Sequence, residues 1–202
     1  MGIYKLSTAG SFATSRTLYK SALAGNAVFV PNYAVGAYDS IATVTVSTAT
    51  PTITFSSIPS TYTHLQVRCS ALTAGGGTVV ALRLNSDTGS NYAAHSINGT
   101  GTAVQADAYV PESYMRLFGR SVGTSTTSPT PIVADILDYT NTNKYTTMRT
   151  LAGCDTNGNG EISFKSGLWM NTNAVTTITI VNNDSSNFSQ YSSFALYGIK
   201  GA

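Results

Sequence analysis

The sequence predicts an all-β fold, a jelly-roll-like antiparallel β-sandwich preceded by an extended N-terminal arm. From Tyr38 onward, apolar and polar residues alternate with a period of two, as in strands that bury one face. Turn residues divide this segment into about ten short strands, a pattern typical of a sandwich or barrel. No long amphipathic helix interrupts the alternation. We therefore assign residues 1–37 to an anchoring arm and linker, and residues 38–202 to the β-sandwich domain.

The arm is polar and sparsely charged. Ser15 is expected to cap a short helix over residues 16–24, and Pro31 and Gly36 mark a linker. The apolar stripe of this helix is too narrow to stabilise it without a partner surface. The residues expected to bind that partner are Arg16, Leu18, Tyr19, Leu23 and Phe29.

Four strands are predicted in the first half of the domain. They cover residues 41–46, 52–55, 64–69 and 79–85. Pro51 and Pro59 bracket the second strand, which indicates a hairpin or an edge position. In the third strand Leu65, Val67 and Cys69 share one face.

Residues 98–131 form the least regular segment, with several Gly and Pro residues. Strands are expected at 103–109 and 115–118. Long loops are uncommon unless they contact something, so we expect Tyr109, Tyr114 and Arg116 to be loop contacts. The remaining predicted strands are residues 132–139, 145–152, 162–169, 174–181 and 193–199.

One loop partly matches an EF-hand calcium motif. Asp155, Asn157 and Asn159 occupy its first, third and fifth positions, and Gly160 the sixth. The twelfth position requires a bidentate carboxylate but holds Ser166. Since the flanking residues alternate like strands, we predict a hairpin turn here instead of a calcium site.

No pattern of residues indicates catalysis, a metal or a cofactor. The two histidines, His64 and His95, lie far apart without neighbouring ligands, and no Gly-x-Ser-x-Gly motif is present. Asp135 and Asp138, three residues apart on a predicted strand, are expected to face opposite sides, which does not suit a glycosidase pair. We therefore predict a non-enzymatic protein with no cofactor and no metal.

Three further side chains are predicted to be structural. Cys69 and Cys154 are interpreted as small buried thiols in preference to a disulfide. Trp169 is expected in the core. The many tyrosines near loops could stack on sugars or protein partners, although covering strand ends is the commoner role for any one of them.

Composition limits the partners. Charged residues make up 10% of the chain and the net charge is +2, too small and too scattered for a nucleic-acid binder. No apolar run reaches the roughly 18 residues of a membrane span. The N-terminus lacks the basic and apolar regions of a secretory signal, so we expect synthesis in the cytoplasm.

Several segments together resemble a family of virion structural proteins from tailed bacteriophages, especially those of cyanobacteria and other aquatic bacteria. The segments are residues 41–46 (IATVTV), 53–68 (ITFSSIPSTYTHLQVR), 82–92 (LRLNSDTGSNY), 135–139 (DILDY), 166–169 (SGLW) and 194–201 (FALYGIKG). Residues 17–26 also resemble the arms that precede such domains. The resemblance implies a virion location and transfers no catalytic residues.

These observations favour a capsid decoration or cement protein that docks on the major capsid protein and stabilises the shell. A homo-oligomer is expected, and a trimer would match the local threefold positions of a shell. The alternative is a tail-fibre or receptor-binding module, anchored to tail components by its arm and contacting a host glycan. A secreted carbohydrate-active enzyme fits the sequence least well.

Overall fold

The computed structural model describes residues 37–74, 79–119, 128–155, 157–184 and 186–201. The chain separates into two units, Met1–Ala37 and Tyr38–Ala202. The five arm residues predicted to bind a partner lie outside the described residues, and so does the short helix predicted there. Their role therefore stays a prediction.

Twelve strands and no helix are present in the described part of the chain. They are β1 (Tyr38–Thr45), β2 (Thr52–Phe55), β3 (His64–Ala71), β4 (Val80–Leu84), β5 (Tyr92–Gly99), β6 (Val104–Glu112), β7 (Met115–Phe118), β8 (Thr130–Leu137), β9 (Thr146–Asp155), β10 (Gly160–Trp169), β11 (Ile178–Asn182) and β12 (Ser193–Ile199). The all-β prediction is confirmed.

The strands form two antiparallel sheets. The larger has the order β1-β12-β3-β8-β9-β10-β5-β6, and the smaller has the order β2-β11-β4-β7. Only β5–β6, β8–β9 and β9–β10 are both consecutive in the chain and hydrogen-bonded to each other. The other connections change sheet, and the two sheets form the β-sandwich that the sequence predicts. The predicted edge position of β2 is also confirmed.

The core lies between the sheets and follows the alternation of the strands. Leu65 and Val67 of β3 are fully buried, as are Ile178 and Ile180 of β11 from the opposite sheet. In β3 the outward neighbours Gln66 and Arg68 are polar, as expected for antiparallel strands with one solvated face. The apolar period of two in the sequence is therefore the period of the core.

Trp169 anchors one end of β10 in this core, as predicted. It is fully buried, and its ring stacks on that of Tyr92 with 6.4 Å between the centroids. The indole Nε1 donates a hydrogen bond of 2.8 Å to Asp87 Oδ2. The same carboxylate accepts from the backbone N–H of Gly89 and from the Asn91 amide, so it ties the β4–β5 loop to the core.

One strand is missing from the sequence-based prediction, and two strand boundaries in it are wrong. The segment beginning at residue 98 is more regular than predicted, because β5 and β6 form a hairpin there and β5 was missed. β11 begins at Ile178 instead of residue 174. β8 ends at Leu137, so Asp138 does not share a strand with Asp135, and its φ of 48° places it in a turn.

The two carboxylates have separate structural partners. The Asp138 carboxylate forms an ion pair with Lys144, and the Asp138 backbone N–H donates a 3.0 Å hydrogen bond to His64 Nδ1. The Lys144 hydrogen bond lowers the pKa of Asp138. Asp135 Oδ1 instead accepts a 2.7 Å hydrogen bond from Gln66 Nε2.

Candidate interaction surface

The outer face of the larger sheet carries a continuous line of apolar side chains. Val133 of β8 pairs with Leu151 of β9, and Leu151 pairs with Phe164 of β10. Phe164 pairs with Ile97 of β5, and Ile97 pairs with Ala106 of β6. Directly paired residues lie on the same side of a sheet, so the five form one line across five strands. We call these five residues the apolar row.

The apolar row is exposed. Leu151, Phe164 and Ile97 retain 54%, 52% and 58% of their accessible surface, and Val133 retains 39%. Outward positions of a half-solvated antiparallel sheet are ordinarily polar. A contiguous apolar patch at such positions is typical of a protein interaction site.

The exposure arises because β10 and β5 reverse the usual polarity in this region. In β10, Ile162 and Phe164 point outward while the intervening Ser163 and Lys165 are buried. In β5, Ile97 points outward while Ser96 and Asn98 are buried. Hydrophobic alternation alone would therefore assign the wrong face as the interior of these two segments.

A hydrogen-bonded polar cluster occupies the interior behind the apolar row. Asn98 Oδ1 accepts from Ser163 Oγ at 2.7 Å and from Lys165 Nζ at 3.1 Å. The Asn98 amide donates to Asp107 Oδ2 at 3.2 Å. Burial lowers the pKa of Lys165, while the charge of Glu161 opposes that shift. The cluster cross-links β10, β5 and β6, the strands that present Phe164, Ile97 and Ala106.

A groove of about 850 Å³ borders the apolar row on one side. Ile162 lies here, 63% exposed, between Gly153 of β9 and Gly99 of β5, its two direct cross-strand partners. Because neither partner has a side chain, the backbone forms the groove floor on both sides of Ile162. Pro129 and Asp155 also line this groove.

A second, smaller groove of about 470 Å³ crosses Phe164 and Ile97 toward the free edge of β6. Its lining includes His95, Ala108 and Asp107. Asp107 lines this groove with its backbone, since it pairs with the buried Ser96 and its carboxylate accepts from Asn98 on the inner side of the sheet. On the outer face, the charged neighbours of the apolar row are basic as well as acidic: Arg68 pairs directly with Val133, and the exposed Arg149 pairs with Ser166 beside Phe164.

The other half of the same face is polar and aromatic. The Arg68 guanidinium lies 5.5 Å from the ring centroid of Tyr38 and 5.1 Å from that of Tyr197. Arg68 Nε also donates a 2.6 Å hydrogen bond to Gln66 Oε1. These contacts give β1, β12 and β3 a rigid cationic and aromatic patch beside the apolar row.

The three predicted loop contacts lie close together but not in a long loop. Tyr109 belongs to β6 and Arg116 to β7, and Tyr114 lies between the two strands. The Arg116 guanidinium is 3.9 Å from the Tyr109 ring centroid and 2.6 Å from Glu112 Oε1. Tyr114 is buried and accepts a hydrogen bond from Asn183 Nδ2. Contact of these residues with a partner stays a prediction.

The predicted turn between residues 155 and 160 is confirmed as the β9–β10 hairpin. Asp155 Oδ1 accepts the Asn157 backbone N–H at 2.9 Å, and Asn157 and Gly158 both have positive φ. In the described ranges, no cluster of three His, Cys, Asp or Glu residues could hold a metal. The described part of the chain contains no helix that could span a membrane.

The two cysteines are buried free thiols, as predicted. Burial raises the pKa of both Cys69 and Cys154. They are therefore held in the unreactive thiol form.

Comparisons with known proteins identify no relative. No family model matches the chain, and no curated protein or solved structure is significantly similar to it.

Sequence reasoning did not find the apolar row. A signal was present in residues 161–165, where Glu161, Ser163 and Lys165 alternate with Ile162 and Phe164. Alternation shows that a strand has two unlike faces, but it does not show which face packs inward. That choice depends on the neighbouring strands, and a single sequence does not give their pairing.

Proposed function

We propose that this protein is a non-enzymatic structural protein of a tailed-bacteriophage virion, made in the host cytoplasm and assembled on the capsid as a decoration or cement protein. The apolar row is the observation that carries the proposal. It is an exposed apolar surface on a rigid sheet, and its natural use is contact with another protein. The sequence resemblance to virion proteins supports the same role.

The energetics suit a protein that binds in many copies. Leu151, Phe164, Ile97 and Ile162 are each about half buried already, so covering them completely contributes about 1 kcal/mol apiece. One such contact is weak after the cost of association is subtracted. Repetition over a shell, or within an oligomer, makes weak contacts cooperative. The partner in this proposal is the major capsid protein, and the protein itself forms a homo-oligomer, for which a trimer is the natural state.

The low charge of the surface supports close packing. Charged residues are 10% of the chain, against a typical value of about 25%. Neighbouring copies therefore experience little mutual repulsion when they are crowded on a particle.

A second role, as a tail-fibre or receptor-binding module, is favoured by one observation. The exposed Tyr38 ring beside Arg68 and Tyr197 offers a flat surface on which a sugar ring can stack. In that role the arm would attach to tail components and this patch would contact a host surface glycan.

Copy number separates the two roles. Quantitative mass spectrometry of purified particles should give hundreds of copies per virion for a capsid decoration protein. A few to a few tens of copies would place the protein on the tail and overturn the capsid assignment. Absence from purified particles would overturn both roles.

Attachment to particles tests the apolar row itself. Particles that lack the protein are incubated with purified chain, sedimented and analysed for bound protein. Replacing Phe164 with Asp should abolish binding, because a carboxylate would have to be buried among apolar groups. Tyr145→Asp is the matched control, since Tyr145 is a similarly exposed aromatic residue away from the row. Equal binding by both variants would exclude the apolar row as the attachment surface.

A further inference from the structure

The interior polar cluster holds an amine against a carboxamide. Lys165 and Asn98 retain only 1% and 5% of their accessible surface, and Lys165 Nζ lies 3.1 Å from Asn98 Oδ1. The carboxamide carbon, Cγ, is bonded to that oxygen at about 1.2 Å. Holding two reacting groups in such contact removes most of the entropic cost of bringing them together, so a slow condensation to a secondary amide becomes feasible.

The pairing of the strands explains this contact. Asn98 of β5 lies directly opposite Ser163 of β10, and Lys165 is two residues further along β10 on the same inward face. A long side chain reaches such a diagonal neighbour across a sheet. A Cβ at Gly119 would lie 3.2 Å from Lys165 Nζ, so the backbone there closes the space on another side of the amine.

Burial also prepares Lys165 for nucleophilic attack. Only a neutral amine has a lone pair to donate, and a buried lysine loses its proton more readily than an exposed one. Burial lowers the pKa of Lys165, and the charge of Arg116 adds to this shift, while Glu161 and Asp107 oppose it. A larger fraction of Lys165 is therefore neutral than of an ordinary surface lysine.

Two further side chains match the charges that such a reaction develops. The Ser163 hydroxyl donates a 2.7 Å hydrogen bond to Asn98 Oδ1, the oxygen that becomes negative when an amine adds to Cγ. Asp107 Oδ2 accepts a 3.2 Å hydrogen bond from Asn98 Nδ2, the nitrogen that has to leave. Asp107 is exposed on the edge strand β6, so a departing molecule has a route to solvent.

We propose that Lys165 and Asn98 form an intramolecular isopeptide bond in the folded chain. Lys165 Nζ attacks Asn98 Cγ, and the electron pair of the C=O double bond moves to Oδ1, where the Ser163 hydroxyl stabilises it. Asp107 takes one proton from the attacking nitrogen and gives it to Nδ2. The Cγ–Nδ2 bond then breaks, its electron pair leaves with the nitrogen, and the C=O bond reforms. The products are one secondary amide and one molecule of ammonia.

This bond joins β5 to β10 between residues that lie 67 apart in the sequence. A crosslink of that span restricts the unfolded chain as a disulfide does, but reducing agents do not break it. It also fixes together the two strands that present Ile97 and Phe164. The reaction occurs once per chain, so it is not turnover of a substrate, and it does not depend on the virion role.

The mass of the purified full-length chain tests the inference. The intact mass, measured on the unfolded chain, should be lower than the sequence requires by one molecule of ammonia. Digestion with trypsin should give a branched peptide that joins residues 84–116 to residues 150–200, because trypsin does not cleave after an acylated lysine. Fragmentation of this peptide should place the bond between Asn98 and Lys165.

Two variants identify the source of the missing ammonia. Lys165→Met keeps a long side chain but has no amine, so the mass deficit and the branched peptide should both disappear. Lys144→Met is the matched control and should keep the deficit, since Lys144 is exposed and pairs with Asp138. A deficit that persists in Lys165→Met would point to cyclisation at an Asn-Gly sequence such as residues 98–99, and it would overturn the inference.

Asp107→Asn tests the assignment of the proton-transfer group. The amide has the same size but cannot accept the proton from the amine, so bond formation after expression should be about a hundredfold slower. Asp184→Asn, at an exposed carboxylate beyond β11, is the control and should react like the wild type. Unchanged Trp169 fluorescence would show that both variants are folded. An equal rate in the two variants would overturn the role of Asp107.

Two results from the wild type would overturn the inference outright. A mass equal to that of the sequence, after prolonged incubation of the folded protein, would show that Lys165 remains an amine. A branched peptide that joins Lys165 to a residue other than Asn98 would show that the reacting pair is wrong. Neither result decides the proposed function, because attachment of the chain to particles is measured separately.

Discussion

Replacement of Asp87 with Ala should lower the free energy of unfolding by about 2 kcal/mol. The Asp87 carboxylate accepts hydrogen bonds from Trp169 Nε1 at 2.8 Å, from Asn91 Nδ2 at 2.9 Å and from the Gly89 N–H at 2.8 Å. Trp169 is fully buried, so its N–H would lose its partner in the interior. A buried unsatisfied donor costs about 1–3 kcal/mol, and the exposed loop bonds add a smaller amount.

Trp169 reports on this change directly, since it is the single tryptophan of the chain. Urea unfolding is followed by its fluorescence and, independently, by circular dichroism. Asn171→Ala is the matched control, because the Asn171 side chain accepts only the exposed Asn173 N–H at 2.9 Å. Its effect should stay below about 0.5 kcal/mol. If Asp87→Ala is no more destabilising than this control, the anchoring of Trp169 by Asp87 is refuted.

The pH dependence of the same variant gives a further check. Burial alone raises the pKa of Asp87, but hydrogen bonds from Trp169, Asn91 and Gly89 together bring it below the ordinary value of 3.8. The ionised form is therefore favoured in the folded state. Its stabilisation is present above pH 3.8 and is lost as the pH falls through the lowered pKa. The difference between wild type and Asp87→Ala should shrink over that acid range.

Two other predictions concern alkaline stability and packing. The free energy of unfolding should fall as the pH rises above about 9. Burial raises the pKa of Cys69, and it raises the pKa of Tyr92 to about 12. The unfolded chain therefore releases protons that the folded protein keeps. Cys69→Ala should make this decline shallower in urea titrations at successive pH values, and an unchanged slope would contradict the assignment. Gly198→Ala should destabilise the protein by about 1–3 kcal/mol, because a Cβ there would lie 2.3 Å from Cγ of the Tyr62 ring. Gly99→Ala, whose Cβ would meet Ile162 Cγ2 at 3.6 Å, is the control, and equal melting temperatures for the two variants would refute the packing argument.

Much of the fold could be predicted from the sequence, because most strands obey one rule. In β3 the apolar residues Leu65, Val67 and Cys69 are buried, as their alternation indicates. Trp169 and the two cysteines were also assigned correctly to the interior. At these positions local pattern and tertiary environment agree, so the pattern alone is sufficient.

The candidate site could not be predicted, because there the local pattern and the tertiary environment disagree. Lys165 and Ser163 are buried beside the exposed Phe164, against the order that hydrophobicity favours. Asn98, from a strand that the sequence analysis missed, satisfies both polar groups. The burial of Ser163 and Lys165 therefore depends on hydrogen bonds to Asn98, which lies 65 and 67 residues earlier in the sequence. Departures of this kind from local rules are expected where a surface has a function.

The register that exposes the apolar row is fixed at the far end of β10. A shift of β10 by one residue would bury Phe164 and would also remove Trp169 from the core and from Asp87. Gly167 adds a second restraint, because a Cβ at that inward position would lie 2.8 Å from Met115 Sδ. Any shifted strand would place a side chain from Ser166 or Leu168 in that space. The buried end of β10 thus determines which face its other end presents. The bond between Asp87 and Trp169 therefore supports the interaction surface as well as the core.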